Sequence, residues 1–217
     1  MIKLISFILI LFMGCPNVWA FDNQNFQLMI YGDSLSAGYR LPEKDAFYSQ
    51  LEKTLKDKGY SNISVLNFSK SGETTTGGVA RLHNALTYKP DAVLLELGIN
   101  DALRDVDITT IQRNLETMII TFQNAGAPVM LIGMQVPPSK EQTYQNDFNE
   151  MYRYLSQKYH LTLYPFFMNG LFDYTLDRLN FNTAYLQADH VHPTKEGVQV
   201  MVKNILPTVQ EFLKQFQ

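Results

Sequence analysis

The sequence predicts a single α/β domain in which helices cover a parallel β-sheet. Short runs rich in Val, Ile, Leu and Tyr alternate with longer helical runs along the chain. Several of the short runs are apolar almost throughout, as strands buried on both faces are. A succession of strand and helix with short connections gives parallel strands joined by right-handed crossovers. The length of 217 residues suits one domain, and no repeat or linker interrupts the pattern.

Five runs have the composition of buried strands: residues 26–31, 63–68, 92–97, 129–133 and 161–164. Five helical runs lie between and after them, at residues 46–58, 75–86, 108–124, 143–159 and 196–215. In the third helix, apolar residues recur at three- and four-residue intervals and form one stripe that faces a core. Gly59 follows the first helix and Gly126 the third, as is typical of helix ends.

The first 20 residues have the organisation of a secretory signal peptide. Lys3 is their only charged residue, residues 4–13 are apolar apart from Ser6, and a small residue, Ala20, ends the segment. The apolar run is too short to span a bilayer, which needs about 20 apolar residues. We therefore predict that residues 1–20 are cleaved on export to the periplasm or beyond, leaving residues 21–217 as the domain.

Two other interpretations of the N-terminus remain open. The apolar run could be a buried first strand or helix of the domain, or lipid could be attached to Cys15 as in a lipoprotein. The residues before Cys15 fit a lipoprotein signal poorly. Cys15 is the only cysteine, so cleavage after Ala20 would leave a chain without a thiol, and its stability would have to come from its core.

The charge pattern argues against a nucleic-acid partner. The net charge is -3 at pH 7, and the 18 Lys and Arg residues are scattered rather than grouped in a basic patch. No group of His, Cys or Asp has the spacing of metal ligands, so we predict no metal and no cofactor. We also expect a monomer, with no membrane span once the signal peptide is removed.

Polar or glycine-bearing segments follow each of the five predicted strands. They begin at Ser34, Gly72, Gly98, Met134 and Asp189. In an open parallel sheet, ligands bind beyond the carboxyl ends of the strands. We therefore expect these segments to meet at one edge of the sheet and to form the functional site there.

Ser34 is the candidate nucleophile at this edge. A serine hydroxyl needs a base to remove its proton; histidine does this near neutral pH, and a carboxylate holds the imidazole in the correct tautomer. Asp189 and His192 lie three residues apart and can be side by side in a turn, whereas His190, adjacent to Asp189, would point elsewhere. The two remaining histidines lie in a helix and before a strand, and we interpret them as surface or packing residues.

Acyl transfer also needs hydrogen-bond donors for the developing oxyanion. Gly72 can present its backbone N–H at close range, Asn100 can add a side-chain amide, and the N–H of Ser34 is the third candidate. Taken singly, Gly72 could be a turn glycine and Asn100 a helix cap.

Four blocks of sequence together resemble the GDSL, or SGNH, hydrolase family. In chain order they are Gly32-Asp33-Ser34-Leu35, Ser71-Gly72-Glu73-Thr74, Gly98-Ile99-Asn100-Asp101 and Asp189-His190-Val191-His192-Pro193. The resemblance implies a three-layer α/β/α fold with a five-stranded, flavodoxin-like parallel sheet of order 2-1-3-4-5. It also implies that Ser34, Asp189 and His192 form the catalytic triad, and that Ser34, Gly72 and Asn100 form the oxyanion hole.

Within that family the chain is most similar to the periplasmic bacterial thioesterase, arylesterase and lysophospholipase branch. The similarity is carried by residues 32–39, 96–104 and 163–167. It implies a small acyl ester, thioester or lysophospholipid as substrate, and a segment at residues 102–107 that moves when substrate binds. Residues 137–144 depart from the branch, because longer polar side chains replace a glycine-containing loop along the acyl groove. The acyl preference is therefore left open.

The function predicted from these residues is ester hydrolysis in two steps through an acyl-enzyme on Ser34. A carbohydrate O-deacetylase is the alternative among enzymes, since the same catalytic set removes acetyl groups from sugars. A binding module that kept the fold without the reaction is the alternative from another class. A metal-dependent hydrolase is a further alternative with less support.

Overall fold

The computed structural model describes residues 25–173, 180–181 and 183–216. The predicted signal peptide, with its cleavage site at Ala20 and the alternative lipid site at Cys15, lies outside the described residues. Within the described ranges, no helix is both long enough and apolar enough to cross a membrane.

Five parallel strands form one sheet in the order β2-β1-β3-β4-β5, which confirms the predicted fold class and strand order. The strands are β1 (Phe26–Tyr31), β2 (Ile63–Asn67), β3 (Ala92–Leu95), β4 (Val129–Ile132) and β5 (Thr162–Tyr164). Every residue of β3 and β4 is buried, as expected for strands covered on both faces. The prediction places each strand correctly, with ends that differ by at most two residues.

The described part of the chain has eight α-helices around the sheet: α1 (Ser34–Ala37), α2 (Phe47–Asp57), α3 (Thr75–Ala80), α4 (Leu82–Thr87), α5 (Ile99–Leu103), α6 (Ile108–Asn124), α7 (Gln142–Lys158) and α8 (Lys195–Leu213). Helix α2 packs against α8, while α6 packs against α3 and α7. These two groups form the outer layers of the three-layer fold. The apolar stripe predicted on α6 is fully buried.

The predicted helix at residues 75–86 is wrong in one respect, because it is broken at Arg81 into α3 and α4. The Arg81 side chain turns inward, where its Nε donates to the Glu73 carboxylate over 2.7 Å and its guanidinium lies 3.9 Å from the centre of the Tyr31 ring. Glu73 is only 5 % exposed, and a buried carboxylate needs such a partner. Two consecutive glycines in α3 also weaken a continuous helix.

Several short features were not predicted, among them α1 and α5, which follow β1 and β3, and the antiparallel pairing of β6 (Phe172–Asp173) with β7 (Asn180–Phe181). Four or five residues are too few for helical periodicity to be recognised. Both short helices begin at the carboxyl edge of the sheet, so Ser34 opens α1 and Asn100 lies in the first turn of α5.

Candidate active site

Ser34, His192 and Asp189 are in contact at the carboxyl edge of the sheet, although Ser34 and His192 are 158 positions apart in the sequence. Nε2 of His192 lies 2.9 Å from Oγ of Ser34, and Nδ1 of His192 lies 3.0 Å from Oδ2 of Asp189. When the neutral ring carries its proton on Nδ1, it donates to the carboxylate and accepts from the serine hydroxyl. This is the tautomer that a general base needs.

The turn around Asp189 keeps its carboxylate ionised. Oδ1 of Asp189 accepts hydrogen bonds from the backbone N–H groups of Val191 and His192, both over 3.0 Å. Partial burial alone would raise the pKa of Asp189, but these bonds and the contact with the His192 ring outweigh it and lower the pKa to about 2. The carboxylate therefore carries its charge throughout the neutral range.

Neighbouring side chains that the sequence did not reveal hold the histidine loop in place. Nε2 of Gln187 donates to the carbonyl oxygens of Tyr39 and Pro193, over 2.9 and 2.8 Å, and so ties this loop to the segment after α1. The ring of Tyr39 packs against the ring of His192 with 4.4 Å between centroids. Arg40 lies 3.7 Å from the Asp189 carboxylate. The base is thus restrained from several sides.

Of the two other predicted oxyanion donors, Asn100 lines the cavity that contains Ser34 and Gly72 does not. Asn100 lines the same cavity as Ser34, and its Nδ2 donates to Oδ2 of Asp33 over 2.9 Å, which fixes the orientation of the amide. Gly72 follows β2 with a φ of 76°, is exposed, and does not line that cavity. Its carbonyl accepts a hydrogen bond from Arg104 over 3.2 Å.

Two buried acids beneath Ser34 were not among the predicted site residues. Asp33 and Glu96 are both 0 % exposed, and the Asp33 N–H donates to Oε2 of Glu96 over 3.2 Å. Ser36 donates to the same Glu96 oxygen over 2.8 Å. Burial raises the pKa of Asp33 above its usual range and, together with the neighbouring Asp33 carboxyl, raises the pKa of Glu96 well above its usual range. A charged residue at the end of an otherwise apolar strand was the available sequence signal.

Replacing Glu96 by glutamine is expected to make the stability of the protein fall less as pH rises. A raised pKa in the folded state means that the contribution of Glu96 is complete below its unfolded value of about 4.3 and is lost as pH rises towards the folded value. Glutamine does not titrate. Melting temperatures at pH 5 and 8 should therefore fall less in Glu96→Gln than in the wild type.

Melting temperature is a suitable readout, since about 1 kcal/mol shifts the melting temperature of a chain of this size by roughly 2–4 °C. The matched control is Glu150→Gln, an exposed residue of α7. Identical pH profiles for the wild type and Glu96→Gln would show that Glu96 is ionised in the folded protein.

The cavity beside Ser34 has a volume of about 320 Å³ and a mostly apolar wall. Besides Ser34, Asn100 and His192, its lining is Leu35, Ile99, Leu103, Met134, Gln135, Pro137, Met168, Phe172, His190 and Val191. His190, predicted to point away from Asp189, thus lines this cavity. A larger cavity of about 660 Å³ lies at the opposite edge, where Pro90, Asp91 and Pro128 precede their strands. Because the serine and histidine line the smaller cavity, it is the candidate substrate site.

The remaining histidines, His83 and His160, are exposed, as predicted for surface residues. Among the described residues, no group of three or more His, Cys, Asp and Glu side chains could hold a metal ion.

The sequence and the fold of this chain are both similar to those of known proteins. The sequence model of the GDSL-like lipase/acylhydrolase family matches residues 30–200. The esterase TesA of Pseudomonas aeruginosa is 34 % identical over 187 residues, which cover 86 % of this chain and 89 % of that protein. An arylesterase of Vibrio mimicus is 33 % identical over 216 residues, or 99 % of this chain and 97 % of that protein. The psychrotrophic esterase EstA from Pseudoalteromonas sp., in a crystal structure inhibited by monoethylphosphonate, matches with a TM-score of 0.79 and 28 % identity, covering 88 % of this chain and 100 % of that chain.

Proposed function

The chain belongs to the GDSL-like lipase/acylhydrolase family, and we propose that it hydrolyses ester and thioester bonds through an acyl-enzyme on Ser34. The observation that carries this proposal is the 2.9 Å contact between Oγ of Ser34 and Nε2 of His192. The related proteins are named as esterases. In this chain we assign the same activity to Ser34, His192 and Asp189.

In the first step, Oγ of Ser34 attacks the carbonyl carbon while His192 takes the hydroxyl proton. Asp189 stabilises the imidazolium that forms, because its carboxylate remains ionised beside Nδ1. We assign the oxyanion to the N–H of Ser34 and the Asn100 amide, which line the cavity, with the exposed N–H of Gly72, outside that lining, as the third proposed donor. Collapse of the intermediate expels an alcohol or thiol that takes the proton from His192. Water then attacks the acyl-enzyme in the same way and releases the acid.

The cavity supports a substrate with an apolar acyl chain rather than an acetyl group alone. Its wall is mostly apolar, and Leu103 and Val191, each 48 % exposed, stand among its lining residues. An acyl chain removed from water by such a wall contributes about 0.8 kcal/mol for each buried methylene. We include lysophospholipids among the candidate substrates, since they present an acyl ester of this kind.

We further propose that residues 1–20 direct export to the periplasm or beyond and are cleaved, so that residues 21–217 act as a monomeric enzyme. The support is the order of a charged residue, an apolar run and a small residue before the cleavage site. N-terminal sequencing of the exported protein distinguishes cleavage after Ala20 from lipid attachment at Cys15.

Labelling of the purified protein by a fluorophosphonate probe tests the nucleophile and its activation together. The probe reacts with serines that a base has activated, so we expect one modified peptide, containing Ser34, and no label after heat denaturation. Initial rates on p-nitrophenyl acetate, octanoate and palmitate give the acyl preference. Labelling at another serine would refute the assignment of Ser34, while turnover of acetate alone would favour the deacetylase.

A further inference from the structure

One wall of the active-site cavity is formed by the segment that ends α5 and leads to α6. Leu103 lines the cavity from this segment. Beyond it the chain turns tightly, since the N–H of Asp105 donates to the Ala102 carbonyl over 3.2 Å and Asp105 has a φ of 58°. This left-handed conformation is uncommon outside glycine, although Asp adopts it more readily than most residues.

The facing wall is formed by the segment between β4 and α7. Met134, Gln135 and Pro137 line the cavity from this side. The segment is held to the start of α7 because Nε2 of Gln145 donates to the Lys140 carbonyl over 2.7 Å. This is the part of the chain where the sequence departs from the related branch.

Side chains beyond the cavity join these two walls. The ammonium group of Lys140 donates to the carboxylate of Asp105. The hydroxyl of Tyr144 donates to the carbonyl of Val106 over 2.9 Å. Nζ of Lys140 also lies 5.8 Å from the centre of the Tyr144 ring, within the range of a cation–π contact. We call these four residues the clasp.

The clasp is anchored on one side and exposed on the other. The side chain of Lys140 is 20 % exposed, whereas that of Asp105 is 83 % exposed. Tyr144 packs against Phe148 of the core, with stacked rings 6.4 Å apart. The Leu103 wall is therefore attached to the well-packed start of α7 by contacts that are individually weak in water. Such contacts can be broken without unfolding the domain.

We propose that Lys140 determines acyl-chain specificity by holding the Leu103 wall against the Pro137 wall through the clasp. This rests on the proposed esterase function. Lys140 acts as a positioning residue, because it makes no contact with Ser34, His192 or the cavity itself. When the contacts of the clasp are formed, the cavity is narrow and contacts a short acyl chain closely. When they are broken, the Leu103 wall moves away, so that longer acyl chains bind better and shorter ones bind more weakly.

Kinetics on p-nitrophenyl butyrate and laurate test this inference, since the two esters share a leaving group and differ only in the acyl chain. In Lys140→Met, the ratio of kcat/KM for laurate to that for butyrate should rise about three- to fivefold, the effect expected from losing one ion pair whose carboxylate is exposed to solvent. The change should lie in KM, with kcat on butyrate altered less than twofold, roughly the scatter allowed for a distant surface change.

Lys158→Met is the matched control. Lys158 also pairs with a carboxylate, Glu116, and lies over aromatic rings, but it joins α7 to α6 and does not border the cavity. Its substitution should leave the ratio unchanged. Lys140→Arg should keep the wild-type ratio because it retains the positive charge, and Asp105→Asn, which suits the left-handed backbone and removes the negative charge, should raise the ratio as Lys140→Met does.

Tyr144→Phe provides a second approach, because it removes the bond to the Val106 carbonyl and keeps the ring; it should raise the ratio in the same direction. The inference is overturned if Lys140→Met, folded by its melting temperature, keeps the wild-type ratio, or if Lys158→Met shifts the ratio equally. Either result would leave hydrolysis dependent on Ser34 intact. Failure of the proposed function would instead show as hydrolysis that survives Ser34→Ala.

Discussion

Replacement of Ser34 by alanine is expected to lower kcat for p-nitrophenyl butyrate by about 10⁴- to 10⁶-fold, the range found when a nucleophile acting with a base is removed. The hydroxyl oxygen is the atom that forms the acyl-enzyme, and the contact between Ser34 and His192 has no other function in the mechanism. Binding and the oxyanion donors would supply the residual rate. Steady-state kinetics on the purified variant measure the loss.

Stability should change little, because the hydroxyl is only partly buried and its removal leaves His192 Nε2 accessible to water. We expect the free energy of unfolding to change by no more than about 1 kcal/mol.

The matched control is Ser36→Ala, two residues further along α1. The Ser36 hydroxyl donates to Glu96 and lies 3.0 Å from the Ser69 hydroxyl, away from the imidazole, so its loss should affect activity far less. Retention of more than about one per cent of the activity by Ser34→Ala would disprove the acyl-enzyme at Ser34.

The parts of the site that the sequence predicted are those governed by local spacing or by sheet topology. Asp189 and His192 are three residues apart, so a turn alone brings them together. Ser34 reaches them from far along the chain because parallel strands end at one edge, and the order of strands follows from the alternation of strand and helix. Both rules act on residue type and position, which are visible in the sequence.

The parts that were missed depend on packing between distant segments. Whether Glu96 is buried beside Asp33 depends on how β3 lies against β1, and the inward turn of Arg81 depends on Glu73 and Tyr31 being buried together. Which residues form these pairs depends on how distant segments pack against each other. The hydrophobic periodicity of a single segment does not contain this information. Tertiary contacts of this kind override local helix propensity at Arg81.

Replacement of Asp189 by asparagine is expected to lower kcat by about 10³- to 10⁴-fold, the loss typical when the carboxylate of a triad becomes an amide. In the wild type, Oδ1 of Asp189 is occupied by two backbone N–H groups, so Oδ2 accepts from Nδ1 of His192. In the variant, the amide oxygen would keep the backbone bonds and turn its NH₂ group towards Nδ1. The ring would then carry its proton on Nε2 and could not accept the proton of Ser34.

The same substitution should change the acid stability of the protein in a direction that the pKa of Asp189 predicts. Its folded value of about 2 lies below the unfolded value of about 3.9, so the carboxylate contributes stability above pH 4 that is lost as pH falls towards 2. The difference in melting temperature between wild type and Asp189→Asn should therefore shrink between pH 4 and 2. Asp57→Asn, at an exposed ion pair with Lys53, is the control for both measurements. Full activity in Asp189→Asn, or a stability difference that grows on acidification, would show that Asp189 does not serve His192 as an ionised acceptor.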